Sequence, residues 1–394
     1  MMTANIKDKA AIVGVANTEF SRNSGRSELQ LAAEAIAAAL ADAGLKPSDV
    51  DGMTTFTMDT TDEIEAARAV GIGDLKFYSR VPHGGGAATG LIHQAVMAVA
   101  TGMAETVVCY RSLNGRSGHR YSSGVSGDIS TSDAIHWGWY MPYGLLTPAS
   151  WVAMFTQRYM HLTNCSKDSL FEVAYTMRQH AATNPAALFY NKPFDRAEYD
   201  AQKKIVDPFQ LYDCCLETDG ASAVVITTTE RARDLRQPGV VVRGVGQAAA
   251  ANMEVMTSFY RDEIAAIPSM DIAAKQAYEQ SGLTPADIDA AVIYDAFSPI
   301  VLWQLESWGF CKPGEAHDFV LDGSLRLDGS LPTNTHGGQL SEAYIHGVNG
   351  IVEAARLVRG SSVNQPAKPV NHALVTAGVG VPTGGALLGS MDTL

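Results

Sequence analysis

Gly44-Leu45-Lys46-Pro47-Ser48-Asp49-Val50-Asp51 separates a helical pattern from the apolar run 52–56. The same order returns as Gly282-Leu283-Thr284-Pro285-Ala286-Asp287-Ile288-Asp289, between a helical pattern at 271–281 and the apolar run 290–294. Two chance matches to G-L-x-P-x-D-(V/I)-D in one chain are improbable. The sequence therefore reads as an internal duplication, each half built on a βαβ-type unit.

Working outward, both halves keep the same order. Residues 9–15 (KAAIVGV) form a short apolar run, the signature of a buried strand. Ser27-Glu28-Leu29-Gln30 fits a capping box, and Leu29, Ala33, Ile36, Leu40 and Ala43 make one helical stripe that Gly44 ends. After the first copy, residues 84–101 read as a glycine-rich turn feeding a helix, with a strand at 106–110. After the second, residues 337–359 and 372–377 repeat that order. Such turns present backbone N–H groups and a partial positive charge to anions. The halves are expected at 1–238 and 239–394, with strands resuming at 219–226 and 240–245.

Residues 111–206 have no counterpart in the second half and are expected to be an inserted loop domain. They are rich in aromatic and apolar residues: Trp137, Trp139, Tyr140, Tyr143, Trp151, Met154, Tyr159. A helix is predicted over 151–161. These side chains either shape a substrate pocket or pack the insertion's own core.

Bulk properties narrow the function. With 394 residues, 46% hydrophobic and 18% charged, the chain can bury sizeable cores and is globular. A net charge of −13 argues against nucleic acid or an anionic membrane as partner. No apolar stretch approaches a membrane span, and the first residues lack a signal-peptide pattern. The five cysteines (Cys109, Cys165, Cys214, Cys215, Cys311) show no metal spacing. A reduced cytoplasmic protein without disulfides or bound metal is expected. Gly84-Gly85-Gly86 lacks the lysine of a phosphate loop, and the vicinal Cys214-Cys215 pair reads as small apolar filling.

The chemistry concentrates in Asn334-Thr335-His336-Gly337-Gly338, followed by Ala343-Tyr344-Ile345-His346. With three other motifs it resembles the thiolase superfamily over essentially the whole chain. Gly86-Ala87-Ala88-Thr89-Gly90-Leu91 resembles the nucleophile segment, with Ala87 at the cysteine position. Tyr294-Asp295-Ala296-Phe297 resembles Asn-Glu-Ala-Phe or His-Asp-Cys-Phe. The 334–346 segment resembles Asn-x-x-Gly-Gly with its Gly-His-Pro, Tyr344 standing for the histidine. Ala377-Gly378-Val379-Gly380 resembles the terminal Cys-x-Gly. The resemblance implies a duplicated five-layered αβαβα fold with two mixed sheets.

Every reactive position is altered. Alanine cannot carry an acyl group, so Claisen thiolase chemistry is excluded. Tyrosines at both altered polar positions are similar to the thiolase-like lipid-transfer proteins, in particular the steroid side-chain aldolases of bacterial sterol catabolism. No sterol-carrier domain is expected after the final strand. The resemblance implies retro-aldol cleavage of a 17-hydroxy steroid 20-carboxyl-CoA to a 17-keto steroid and propionyl-CoA. It names Tyr294 and Tyr344 as proton carriers, with His346 a weaker candidate. Oxyanion or substrate contacts are expected from Gly85, Gly86, Ala87, Asn334, His336, Gly337, Gly338, Gly378 and Gly380. His83 could also polarise the site, and each histidine could equally satisfy a loop carbonyl. Asp295 and Glu342 are the nearest carboxylates, and Asp295 matches a structural family position. No cofactor beyond the substrate's coenzyme A is implied. Implied partners are a second copy and the OB-fold/zinc-ribbon domain of a steroid enoyl-CoA hydratase. Two other readings stay open: cysteine-free acyl transfer through Ser341 or Thr89, and non-enzymatic acyl-CoA or lipid binding.

Overall fold

The structure is a computed structural model and describes residues 6–57, 60–82, 88–118, 120, 138–253, 259–378 and 383–394. In the first half, β1 (Ala10–Asn17), α1 (Glu28–Ala43), β2 (Gly52–Phe56), α2 (Glu63–Val70), β3 (Phe77–Val81), α3 (Ala88–Ala100) and β4 (Thr106–Asn114) precede the insertion. The insertion holds α4 (Pro148–Leu162), α5 (Lys167–Thr183), α6 (Arg196–Asp200) and the hairpin β5 (Lys204–Val206) and β6 (Phe209–Gln210). β7 (Asp219–Thr228) and α7 (Thr229–Ala232) return to the first half. The second half comprises β8 (Val240–Ala248), α8 (Pro268–Ser281), β9 (Ala290–Val292), α9 (Ser298–Ser307), α10 (Ala316–Leu321), α11 (Gly338–Ser341), α12 (Val348–Arg359), β10 (His372–Ala377) and β11 (Thr383–Ser390).

The strands run β3-β2-β4-β7-β1-β8-β11-β10-β9. The two sheets expected from the duplication are thus joined, through Ala11–Val241 and Ile12–Val240 pairs, into one nine-stranded mixed sheet. Both first strands are buried there, and an unpaired strand edge in that position would orphan backbone groups. From edge to junction, β2-β4-β7-β1 corresponds to β9-β10-β11-β8.

Alternation along the strands produces the layers. Ala10 and Ile12 face a cluster shared with α3 and α12, whereas Ala11 and Val13 face α1. In the second half Ala290 and Val292 join the same central cluster, whereas Ala291 and Ile293 face the cluster containing α8. The period of two in the strands therefore yields α1, sheet, α3 with α12, sheet, α8, the five layers of the thiolase fold. Glycine lets the outer helices lie close. A Cβ on Gly14 would stand 2.1 Å from the Ala39 carbonyl oxygen, and one on Gly246 2.0 Å from that of Ala273.

The repeated motif does the same work twice. Asp49 Oδ2 accepts from the Lys46 amide at 2.7 Å, and Asp287 Oδ2 from the Thr284 amide at 2.8 Å. Asp51 Oδ1 accepts from the amides of Glu105 and Thr106, both at 2.9 Å. Asp289 Oδ2 accepts from those of Asn371 and His372 at 2.8 and 2.9 Å. The first aspartate of each copy closes a turn; the second anchors the start of the strand beyond the central helix. Of the expected capping box at 27–30, the serine half forms (Gln30 N to Ser27 Oγ, 3.1 Å). Gln30 instead donates its amide to Glu34 at 2.9 Å.

The insertion builds a core from Phe171, Tyr175, Phe194, Tyr199 and Tyr212, with the Arg178 guanidinium against the rings of Phe194 and Tyr212. Of the aromatics singled out in the sequence, Trp151 and Tyr159 are buried, Trp139 and Tyr143 are 73% and 84% exposed, and Trp137 lies outside the described residues. Tyr199 and Ser298 both donate to the buried Asp213, which fastens the insertion to the start of α9.

Candidate active site

β9 ends at Val292, earlier than the apolar run 290–294 suggests, because the next rungs are supplied by a side chain. Asn334 Oδ1 accepts from the Ile293 amide at 2.7 Å, and Asn334 Nδ2 donates to the Ile293 carbonyl at 2.8 Å. Its own amide donates to Ala291 O at 2.9 Å. Asn334 takes the left-handed conformation (φ +51°) that asparagine tolerates. Its side chain is therefore spent on backbone, holding the strand end from which Tyr294 projects.

Tyr294 is fixed at both backbone groups. Its amide donates to Thr376 Oγ1 at 3.0 Å, and its carbonyl accepts from Gln304 Nε2 at 2.7 Å. Thr376 in turn donates to Gln304 Oε1 at 2.6 Å. The next residue, Asp295, is buried and accepts from the amides of Gln339 (2.7 Å) and Leu340 (3.3 Å) at the start of α11. Burial pushes its carboxyl up to about 7. It organises the 334–341 turn, the structural role expected for it. Gly338 (φ +65°) lies so near that a Cβ would be 2.0 Å from Asp295 Oδ2. Gly337 (φ +113°) gives α5 the same closeness, with Ala181 Cβ 2.6 Å from the added atom.

Tyr344 is brought to Tyr294 across this turn. The Tyr344 amide donates to Thr218 Oγ1 at 3.1 Å, and the two hydroxyl oxygens stand 2.8 Å apart. Gly347 lies between the Tyr294 ring and the first residue of α3. A Cβ on Gly347 would contact both the Tyr294 ring (3.1 Å) and Ala88 (3.3 Å). Gly85, Gly86 and Ala87, with His83, Gly84 and Gly380, lie outside the described residues. Gly378 is buried with φ +103°.

His346 packs edge-on to Tyr344, with ring centres 4.9 Å apart. Its Nδ1 accepts from Arg111 Nε at 3.0 Å. Burial first, then the Arg111 charge, hold its pKa well below 6.5, so the ring is neutral with its proton on Nε2. Arg111, within β4, is a site residue that sequence reading missed. A charge directly after the buried run TVVCY was the available signal. His336 is enclosed within the turn, and burial, with His180 and Arg356 nearby, brings it down to about 3. Ser341 Oγ accepts from Arg178 Nε at 3.0 Å, which occupies one candidate acyl carrier. Cys214 and Cys215 are half-buried, and burial raises both thiols, leaving them poor nucleophiles.

Two phenolic hydroxyls in hydrogen-bond contact can exchange a proton, one accepting while the other donates. Among the described residues no group of three or more histidine, cysteine or carboxylate side chains could hold a metal, and no helix is long and apolar enough to cross a membrane.

Comparison with known proteins identifies relatives of the whole chain. Residues 249–387 match the family model described as thiolase C-terminal domain-like. A "Steroid side-chain-cleaving aldolase" of Thermomonospora curvata is 57% identical over 97% of this chain and 98% of that one. A "17-hydroxy-3-oxo-4-pregnene-20-carboxyl-CoA lyase" of Mycobacterium tuberculosis is 52% identical over 98% of this chain and 100% of that one. A solved structure titled "Ltp2-ChsH2(DUF35) aldolase" superposes with a TM-score of 0.95 at 55% identity, covering 99% of this chain and 100% of that one.

Proposed function

The chain belongs to the steroid side-chain-cleaving aldolases of the thiolase-like superfamily, and from that premise we infer how its own residues act. It is a carbon–carbon lyase that cleaves a 17-hydroxy steroid 20-carboxyl-CoA to the 17-ketone and propionyl-CoA. The observation that carries the reading is the 2.8 Å contact between the Tyr294 and Tyr344 hydroxyls. One tyrosine takes the proton of the tertiary hydroxyl. The bond between the carbinol carbon and the thioester α-carbon breaks, its electron pair passing into the thioester enolate. The other tyrosine protonates the enolate carbon. The transfers are concerted through the contact between the oxygens: the tyrosine that accepts from the substrate hydroxyl passes its own proton to the one that protonates the enolate carbon, so both remain neutral phenols. No acyl-enzyme forms, in keeping with alanine at position 87. Tyr294 is assigned to the hydroxyl and Tyr344 to the enolate carbon, with neutral His346 holding the Tyr344 ring. On the family resemblance, amides for the enolate oxygen are assigned to Gly85, Gly86, Ala87, Gly378 and Gly380.

The protein works in the cytoplasm as a homodimer, with the OB-fold/zinc-ribbon domain of a steroid enoyl-CoA hydratase as partner. Support comes from the neighbour whose title pairs Ltp2 with ChsH2(DUF35), and from the acidity of this chain, which holds 29 Lys plus Arg against 42 Asp plus Glu. The test is incubation with a 17-hydroxy steroid 20-carboxyl-CoA, with and without that domain, followed by mass spectrometry. The expected products are the ketone and propionyl-CoA, with the protein mass unchanged. A stable acyl adduct would sink the reading in favour of acyl transfer, and no turnover with the partner present would favour binding.

A further inference from the structure

Beneath the Tyr344 loop lies a buried polar cluster that the cleavage chemistry leaves unused. Glu342 is enclosed, with Oε1 accepting from Asn184 Nδ2 at 3.2 Å and Oε2 from Asn349 Nδ2 at 2.9 Å. Its carbonyl accepts from the Leu188 amide at 3.0 Å. Asn349 also donates to Ala343 O at 3.1 Å and accepts from Gln339 Nε2 at 3.2 Å. Glu342 thus joins the insertion just after α5, the first turn of α12, and the backbone two residues before Tyr344. Beside it, His336 is buried and neither ring nitrogen has a hydrogen-bond partner. The nearer nitrogen, Nε2, is 3.7 Å from Glu342 Oε2. An enclosed imidazole with donor and acceptor both idle is destabilising, so a proton between the two groups is worth forming.

We propose that Glu342 is a positioning residue whose carboxyl keeps its proton, shares it with His336 Nε2, and thereby fixes the loop that sets the Tyr344 hydroxyl against Tyr294. A closure of about 1 Å completes the contact. The charged groups around the pair favour this neutral form over an ion pair. Burial first, and then Glu353 of α12, lift the Glu342 carboxyl to about 8 against the opposing effects of Asn349, Arg356 and Asn184. Burial, His180 of α5 and Arg356 of α12 disfavour a charged His336. Because the Glu342 pKa is raised, the proton is present at neutral pH and leaves as pH rises through about 8. Deprotonation would strand a carboxylate in an enclosed site beside Glu353 and loosen the loop.

The proposal rests on the cleavage reading for its kinetic test only. The full chain and its E342Q and E342A variants are assayed across pH with the steroid acyl-CoA, and wild type and E342Q are compared by difference infrared spectroscopy. Wild type is expected to lose kcat above pH 8. E342Q still donates to His336 but gives up the bond from Asn349 Nδ2 at that atom, so it keeps more kcat than E342A and loses that alkaline decline. E342A falls roughly 10²-fold in kcat, the scale of an ångström-sized misplacement, with KM little changed. The infrared difference shows the carbonyl stretch of a protonated carboxyl at neutral pH. Absence of that stretch, wild-type kcat in E342A, or an E342Q as impaired as E342A would each overturn the proposal. If wild type cleaves nothing, the cleavage reading fails while the infrared difference still decides whether the proton is shared.

Discussion

The two halves start from one plan and diverge where the site forms. In the first, β2 pairs with β3 over five residues, from Gly52–Phe77 to Phe56–Val81. In the second, the corresponding pairing shrinks to a single bridge between Ala291 and Thr333. The missing rungs are replaced by the Asn334 side chain on Ile293. That substitution releases the chain at both Tyr294 and residues 335–347 without leaving orphaned amides. The first half contributes a frame: α3 against the Tyr294–Gly347 contact, Arg111 on His346, Thr218 on the Tyr344 amide. The duplication thus determines where a site can form, and the broken half carries both proposed proton carriers, Tyr294 and Tyr344.

The largest expected effect tests that division. Tyr294→Phe and Tyr344→Phe should each lower cleavage by about 10²–10⁴-fold, the range for a lost general acid or base. Melting temperature should stay near wild type, since only a hydroxyl is removed. Product formation followed by mass spectrometry decides it. A variant at wild-type rate would take that tyrosine out of the mechanism. The next effect probes the shared frame. Gly14→Ala and Gly244→Ala place Cβ at 2.1 Å from Ala39 O and 2.3 Å from Ala277 O, each carbonyl five residues before its helix-ending glycine. Each should cost about 3 kcal/mol by urea denaturation, the upper range for overpacking. Because they sit in equivalent helix–strand contacts, the two costs should match. A tolerated Gly14→Ala with a damaging Gly244→Ala would break the equivalence.

The frame was legible because it is written locally. A glycine stop, a proline-started turn and two aspartates at fixed spacing announce each copy. The helices and most strands fall within a few residues of their expected bounds. The tyrosine pair was legible through the motifs that carry it. What escaped depends on groups far apart in sequence. The Arg111–His346 bond joins positions of different halves, and no spacing rule relates them. Glu342 reads as a carboxylate near the tyrosines, but its enclosure beside Asn184, at the end of α5, has no local signal. The run 290–294 looks like one strand because Ile293 and Tyr294 are apolar enough. Only the Asn334 side chain, arriving from the next turn, shows why pairing stops at Val292.

The smallest effect gives the finest comparison. Asp51 and Asp289 each accept two backbone amides at 2.8–2.9 Å, at the start of β4 and β10 respectively. Replacing either with alanine leaves two half-buried donors to be satisfied by water. A loss of about 1–3 kcal/mol is expected for each. Asp51 has one further partner, Lys76 Nζ at 3.2 Å, whose side chain is 67% exposed. An exposed pair of that kind adds about 0–1 kcal/mol. Asp51→Ala should therefore cost slightly more than Asp289→Ala, and the excess should vanish in high salt while the shared part persists. An excess that survives salt would mean that the two strand anchors are not equivalent. β10 runs into Thr376, which holds the Tyr294 amide, so Asp289→Ala should also slow cleavage modestly. Asp51→Ala, on the frame side, should leave the rate unchanged.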